Sequence, residues 1–206
     1  MSLTLVGAGG HCREVISAMR AGGLSPTRIL DDSESAWGTE IMGVPVAGPV
    51  NLLRPGDAAH ISIGGNRVRE IIASAYPDVD WTTVVHPTAC ICPSAALGKG
   101  CLVGPGATVF AEVVIGSHVI INSHSLVSHE SRLGDFSQTA PGATLGGCVT
   151  LGVRAYAGIG CSIHQGSILE DDAVLGGGAF LKGCIPRGET WAGVPARPLQ
   201  RRTKNA

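Results

Sequence analysis

Charged and aromatic side chains are scarce. Asp, Glu, Lys and Arg make up 15% of the 206 residues, and Phe, Trp and Tyr only 4%. The formal net charge is −1 and the pI about 6.6, so no overall basic character points to nucleic acid, and none is expected as a partner. No apolar run is long enough to span a bilayer, so no membrane partner is expected. No basic segment leading into an apolar stretch marks a signal peptide. The seven cysteines are an odd number without a CxxC pair, which argues against a disulfide framework or a zinc ribbon. Reduced thiols in a cytoplasmic protein are the expectation.

What is abundant is a period. An apolar or small residue recurs every six positions from Val85 to Leu181 with no insertion, through Ile91, Leu97, Val103, Val109 and their successors. Only Thr139 and Ala157 depart from large aliphatics. The residue four places after each is also small or aliphatic, from Ala89 and Cys101 to Ala179 and Ile185. Cys101 and Cys161 hold such inward positions and read as buried hydrophobes. Gly often follows the large residue, as in Leu97-Gly98, Leu133-Gly134 and Leu151-Gly152. A fixed six-residue repeat specifies a parallel β-helix. Three hexapeptides close a triangular coil, so 18 residues advance the chain by about 4.8 Å. The low charge fits a body covered by neighbouring coils and other subunits.

The first 80 residues follow another rhythm. Leu3–Val6, Arg28–Leu30 and His60–Ile63 read as strands. His11–Ala21, with Val15, Ile16 and Met19 as its stripe, and Arg67–Ala75 read as helices, the first stopped by Gly22-Gly23. Strand–helix alternation predicts a small parallel α/β unit, with its ligand crevice at the carboxyl ends of the strands. Those ends are Gly7–His11, Asp31–Ser33 and Gly64–Asn66. The expected division is residues 1–80 as a Rossmann-like α/β domain, 84–186 as the β-helix and 187–206 as a capping tail. Pro77–Thr83 is read as the linker.

Gly7-x-Gly9-x-x-Cys12 is an incomplete dinucleotide fingerprint, followed at the right distance by Asp31 or Asp32. A glycine turn entering a helix binds phosphate well. The same residues also make a plain strand-to-helix turn, and spacing does not choose between them.

The lattice singles out His129-Glu130. Val127 and Ser131 point inward, so His129 projects from the surface. Eighteen residues on lies Gly147 and eighteen back lies Ala111, which leave room for the imidazole. A histidine beside a carboxylate suits general-base work, and a nearby backbone N–H suits a developing oxyanion. His86 is read as structural, and His118, His124 and His164 as surface residues of the lattice. The zinc arrangement of β-helix carbonic anhydrases pairs two histidines five residues apart with a third about two coils earlier. His124 and His129 supply the pair, but Thr88 and Pro93 occupy the earlier coil, so no metal is expected.

The chain resembles the nucleotide-sugar acetyltransferases of the bacillosamine N-acetyltransferase and sialic acid O-acetyltransferase group. The resemblance rests on Val6-Gly7-Ala8-Gly9-Gly10-His11-x-Arg13-Glu14-Val15 and Ser62-Ile63-Gly64-Gly65-Asn66-x-x-Arg69. It rests also on His129-Glu130 with Leu133-Gly134-Asp135-Phe136, on Leu175-Gly176-Gly177-Gly178-Ala179 and on Gly193-Val194-Pro195-Ala196-Arg197. It implies a left-handed β-helix, where the general crossover rule alone would predict a right-handed one. It implies a homotrimer with acetyl-CoA in the groove between adjacent β-helices, acting in bacterial surface-glycan synthesis. His129 matches the general base, Glu130 its supporting acid and Gly147 the glycine whose N–H meets the thioester carbonyl. Gly9, Gly10, His11, Asp31, Asp32, Gly64 and Asn66 match the nucleotide-sugar pocket, and Asn122 an asparagine near the sugar. Ala157, Gly158, Gly176, Gly177, Lys182 and Arg197 match the coenzyme A side. Gln138 stands where the family commonly has a second histidine. Half a coil separates it from His129, so only a neighbouring subunit's His129 comes within its reach.

The activity expected is acetyl transfer from acetyl-CoA to the amine of a nucleotide-linked amino-deoxy sugar. O-acetylation of a sialic acid is the alternative within the group. A non-catalytic β-helix assembly protein is the alternative outside it.

Overall fold

The computed structural model describes residues 3–199. Six strands and two helices form the N-terminal unit: β1 (Leu3–Val6), α1 (Gly10–Ala21), β2 (Pro26–Leu30), β3 (Glu40–Ile41), β4 (Val44–Gly48), β5 (Ala58–Ile61), α2 (Asn66–Ala75) and β6 (Asp80–Trp81). The sheet order is β3-β4-β2-β1-β5-β6, parallel except for the β3–β4 pair. The expected strands and helices are all present. The unexpected ones are β3 and β4, whose Val44 and Val46 join the core under α1, and β6. Asp80–Trp81 lies in the stretch read as linker. Trp81 is instead buried as the outermost strand, because its indole fills the α2 side of the sheet with Val79 and Ile61.

From Val84 the chain winds through three parallel sheets, one strand of each per coil. The first sheet begins at Val84–Val85, the second at Cys90–Ile91 and the third at Ala96–Leu97. Registers step by 18 residues, as in Leu102↔Ile120↔Gln138↔Tyr156. The large and small repeat positions meet inside, where Val109, Val127, Leu145 and Ala155 are essentially inaccessible. Buried serines at the small position are held by backbone: Ser131 Oγ donates to Gly146 O at 3.3 Å and accepts from Val149 N at 3.1 Å.

The corners explain two kinds of glycine. A Cβ on Gly98, directly after a large residue, would come within 2.6 Å of the next coil's backbone. Two residues further along, every position from Gly100 to Gly178 has positive φ, whether Gly or a residue such as Glu112, Glu130 or Cys148. That is the left-handed residue a tight turn requires. An L residue there costs roughly 1–2 kcal/mol, offset by corner hydrogen bonds such as Cys148 N to His129 O at 2.9 Å.

The period breaks once. Leu169 pairs with Ile185 and Leu175 with Trp191, each 16 residues on, so the last repeat is two residues short. Gly183, at φ +115°, makes the shorter turn. The tail then adds Thr190–Ala192 and Arg197–Pro198 to the first sheet, the latter antiparallel, and buries Ala196. Arg201, Arg202 and Lys204 lie outside the described residues.

The α/β unit rests on the outer face of the first sheet. Val84, Leu102 and Ile120 share a core with Val15, Ile16 and Met19 of α1. Arg69 of α2 closes the seam. Its guanidinium donates to Ile63 O and Gly64 O on one side and to His118 O, Phe136 O and Ser137 O on the other. His118 is therefore not a surface residue. It is 2% exposed, stacked on Phe136 with centroids 5.2 Å apart and met edge-on by Trp81 at 5.3 Å. Burial lowers its pKa to about 4.

Candidate active site

His129 occupies the corner between the second and third sheets, where the turn throws its side chain outward, 61% exposed. Its Nδ1–H donates to Glu130 Oε2 at 2.9 Å. That bond assigns the proton to Nδ1 and leaves the Nε2 lone pair open. Glu130 sits at φ +59°, which turns its carboxylate back along the corner toward the ring. One coil on, a Cβ at Gly147 would lie 2.5 Å from His129 Cε1 and Nε2, so only glycine admits the imidazole as it stands. Among the described residues, the Gly147 N–H has no acceptor. His129, Gly147, Cys148, Gln165 and Gly166 line a cavity of about 200 Å³. Cys148, Gln165 and Gly166 were not among the residues expected from the sequence. The Cys148 Sγ approaches Glu130 Oε2 at 3.8 Å.

The second cluster is the α/β crevice. Gly7, at φ +107°, has no room for a side chain, since a Cβ would stand 2.3 Å from Ile63. Asp31 accepts from Ala8 N at 2.7 Å and Ser33 N at 2.8 Å, and Asp32 from Val50 N at 2.9 Å. Both carboxylates thus brace the loops of the crevice. Gly9 and Gly10 are exposed at its mouth, and Gly64 is half-buried. His11 donates through Nδ1 to Glu14 Oε2 at 2.7 Å, while its Nε2 is buried without a partner. Burial outweighs Glu14 and lowers the His11 pKa. Asn66 Nδ2 reaches across to Arg154 O at 2.9 Å and Ala155 O at 3.3 Å, leaving its Oδ1 buried and unpartnered.

Gln138 lies on the first sheet between Ile120 and Tyr156, the face that carries the α/β unit. It is 8% exposed and its Oε1 has no partner. Asn122 is 7% exposed, its Oδ1 accepting from Ser123 N at 2.7 Å.

The family model for the PglD N-terminal domain matches residues 2–76. Over 98% of both chains, the structure is similar to GDP-perosamine N-acetyltransferase from Caulobacter crescentus, solved with CoA and GDP-perosamine, at 30% identity and TM-score 0.92. It is similar to the acetyltransferase domain of PglB from Neisseria gonorrhoeae, solved with acetyl coenzyme A, at 32% identity and TM-score 0.89 over 96% of this chain and 98% of that one. WeeI from Acinetobacter baumannii follows at 26% identity and TM-score 0.82, over 97% and 100%. No curated protein sequence matches. The chain belongs to the hexapeptide-repeat nucleotide-sugar N-acetyltransferases.

The residues expected on the coenzyme A side do not gather in one place: four lie on two corners, and Ala157 and Arg197 lie in strands. Gly158, Gly176 and Gly177 sit between the first and second sheets, and Lys182, exposed, sits on the His129 corner further along the axis. Arg197 is exposed in the last strand. The Ala157 methyl points into the core, 0% exposed, so its side chain is closed to a ligand. Gly158 has a structural reason of its own: a Cβ would meet Leu175 O at 2.5 Å. Among the described residues, no helix is long and apolar enough to cross a membrane.

Proposed function

We propose that this protein transfers the acetyl group of acetyl-CoA to the amine of a nucleotide-linked amino-deoxy sugar, with His129 as general base. The observation that carries this is the corner itself: an imidazole with Nδ1 committed to Glu130 and Nε2 free, packed against a glycine whose N–H is unused. Nε2 takes a proton from the amine as it attacks the thioester carbonyl. The Gly147 N–H faces the oxygen on which negative charge develops. Collapse of the tetrahedral species breaks the C–S bond, and the imidazolium returns its proton to the coenzyme A sulfur. Glu130 stabilises that imidazolium.

The nucleotide is assigned to the α/β crevice, through Gly9, Gly10, His11, Gly64 and the loops that Asp31 and Asp32 brace. The relatives solved with CoA and with GDP-perosamine support both ligands. Asn66 ties the crevice to the corner after the third sheet, whereas His129 stands on the corner before it. One chain thus separates the two halves of the site, which supports a homotrimer in which a neighbour supplies His129. In that arrangement Gln138 and Asn122 face the sugar.

The test is coenzyme A release on a panel of nucleotide-linked amino sugars. His129→Ala should lose about 10²–10⁴-fold in rate while keeping its fold. Wild-type turnover by that variant would overturn the assignment. So would the absence of release with every amino sugar, which is what a non-catalytic assembly protein predicts.

A further inference from the structure

We infer that His129, Glu130 and Cys148 form a binding site for a thiophilic divalent cation, zinc above all, whose occupation switches acetyl transfer off. One imidazole nitrogen, one carboxylate oxygen and one thiol sulfur lie within 4.8 Å of one another. The lattice makes this juxtaposition. Glu130 and Cys148 are 18 residues apart on the same corner, both at positive φ, so their side chains stack. A tetrahedral zinc with bonds of 2.0–2.3 Å needs ligand-to-ligand edges of about 3.3–3.5 Å. The present separations are 2.9 Å from Nδ1 to Oε2 and 3.8 Å from Oε2 to Sγ, so the ring and carboxylate part by a few tenths of an ångström and the sulfur closes in. Three protein ligands with a fourth position open to solvent are what an accessible zinc site uses. All three side chains are exposed and reach a cation without opening the fold.

Occupation has a defined chemical effect. The metal takes Nδ1 and the Glu130 oxygen, and Cys148 releases its proton to solvent. A neutral imidazole bound through Nδ1 carries its proton on Nε2. That is the nitrogen beside Gly147, and it then has no lone pair for the amine. The binding stands on geometry alone; the loss of turnover rests on the function proposed above.

Zinc binding to the full chain, measured by calorimetry after chelation and dialysis, should show one equivalent per chain. Cobalt in its place should give a thiolate-to-cobalt charge-transfer band. Cys148→Ser, an exposed and nearly isosteric change, should abolish that band and weaken zinc binding at least tenfold, and His129→Ala should weaken it too. Each protein's coenzyme A release, with and without chelator, serves as its own reference, and zinc sensitivity should fall in step with affinity. Equal zinc binding by wild type and Cys148→Ser, or a cobalt spectrum without the thiolate band, would overturn the site. Zinc bound with turnover unchanged would overturn the switch. A chain that acetylates no amino sugar would overturn the proposed function and leave the metal measurement readable.

Discussion

Replacing Gly147 by Ala should separate activity from stability. The added Cβ would stand 2.5 Å from Cε1 and Nε2 of His129, where carbon contacts ordinarily sit at about 3.5–4.0 Å. The ring must withdraw by about 1 Å. It has somewhere to go, being 61% exposed, so the fold should lose no more than about 0.5 kcal/mol. Gly147 has no positive φ, so alanine adds no backbone strain. Withdrawal pulls Nδ1 off Glu130 and Nε2 away from the amine, and a misplacement of about 1 Å costs on the order of 10²-fold in rate. That corresponds to about 2.7 kcal/mol of barrier. The assay is coenzyme A release with saturating donor and acceptor, beside a urea melt of the same sample. The double variant with His129→Ala should be no slower than His129→Ala alone, because both changes act through one ring. A Gly147→Ala protein that melts like wild type and turns over within threefold of it would refute the geometry.

Other glycines and the seam should behave differently. Gly158→Ala would drive a Cβ into backbone, 2.5 Å from Leu175 O and 2.7 Å from Gly177 N, and should cost about 1–3 kcal/mol in urea unfolding. Arg69→Lys should destabilise by about 3 kcal/mol, since one ammonium cannot span the five carbonyls that the guanidinium joins; a lysine variant as stable as wild type would remove Arg69 as the clamp of the seam. His60 is 1% exposed, and burial depresses its pKa from 6.5 to about 4. Below pH 6.5 the unfolded chain takes a proton that the folded chain refuses, so stability falls from pH 6.5 toward 4 and levels off below. The loss through His60 should reach about 1.4 kcal/mol at pH 5.5 relative to pH 7.5, read by urea midpoints, with His118 pulling in the same direction. His60→Asn, which keeps a donor for Thr82 O, should flatten that dependence.

The lattice was legible because an unbroken period turns separation in sequence into position in space. Eighteen residues from His129 had to be Gly147, and the structure sets that glycine against the ring. Cys148 obeys the same rule, eighteen residues after Glu130, but a lone cysteine carries no chemical signal in the sequence until the carboxylate beside it is seen. His118 was misplaced for the opposite reason. It holds the same corner position as His124 and Glu130, and repeat logic treats all three alike. What buries it is the α/β unit, through Trp81 and the Arg69 clamp, and that contact leaves no periodic trace. Asp80–Trp81 and the last coil escaped similarly. A two-residue strand has no alternation to read, and the loss of two residues at the Gly183 turn is visible only through the strands it re-pairs.

The proposed division of the site follows from the same geometry. A β-helix repeats its corners, so a groove formed by two corners in the proposed trimer is offered at every coil, and the repeat alone cannot choose where chemistry happens. The choice is made by departures from the repeat. Glu130 takes a left-handed corner that glycine fills at Gly142, Gly160 and Gly166. Gly147 takes a position where Ser117 and Val153 have their N–H groups capped by Asp135 and Asp171. Eighteen residues after Gly147 stands Gln165, with no carboxylate to cap that N–H. Placing an aspartate there should therefore silence the oxyanion donor without touching His129. Gln165→Asp should keep the fold, since the same pairing already closes two other corners, and should lose about 10²–10³-fold in rate. Full turnover by that variant, with the cap confirmed in its crystal structure, would show that the Gly147 N–H takes no part in the reaction.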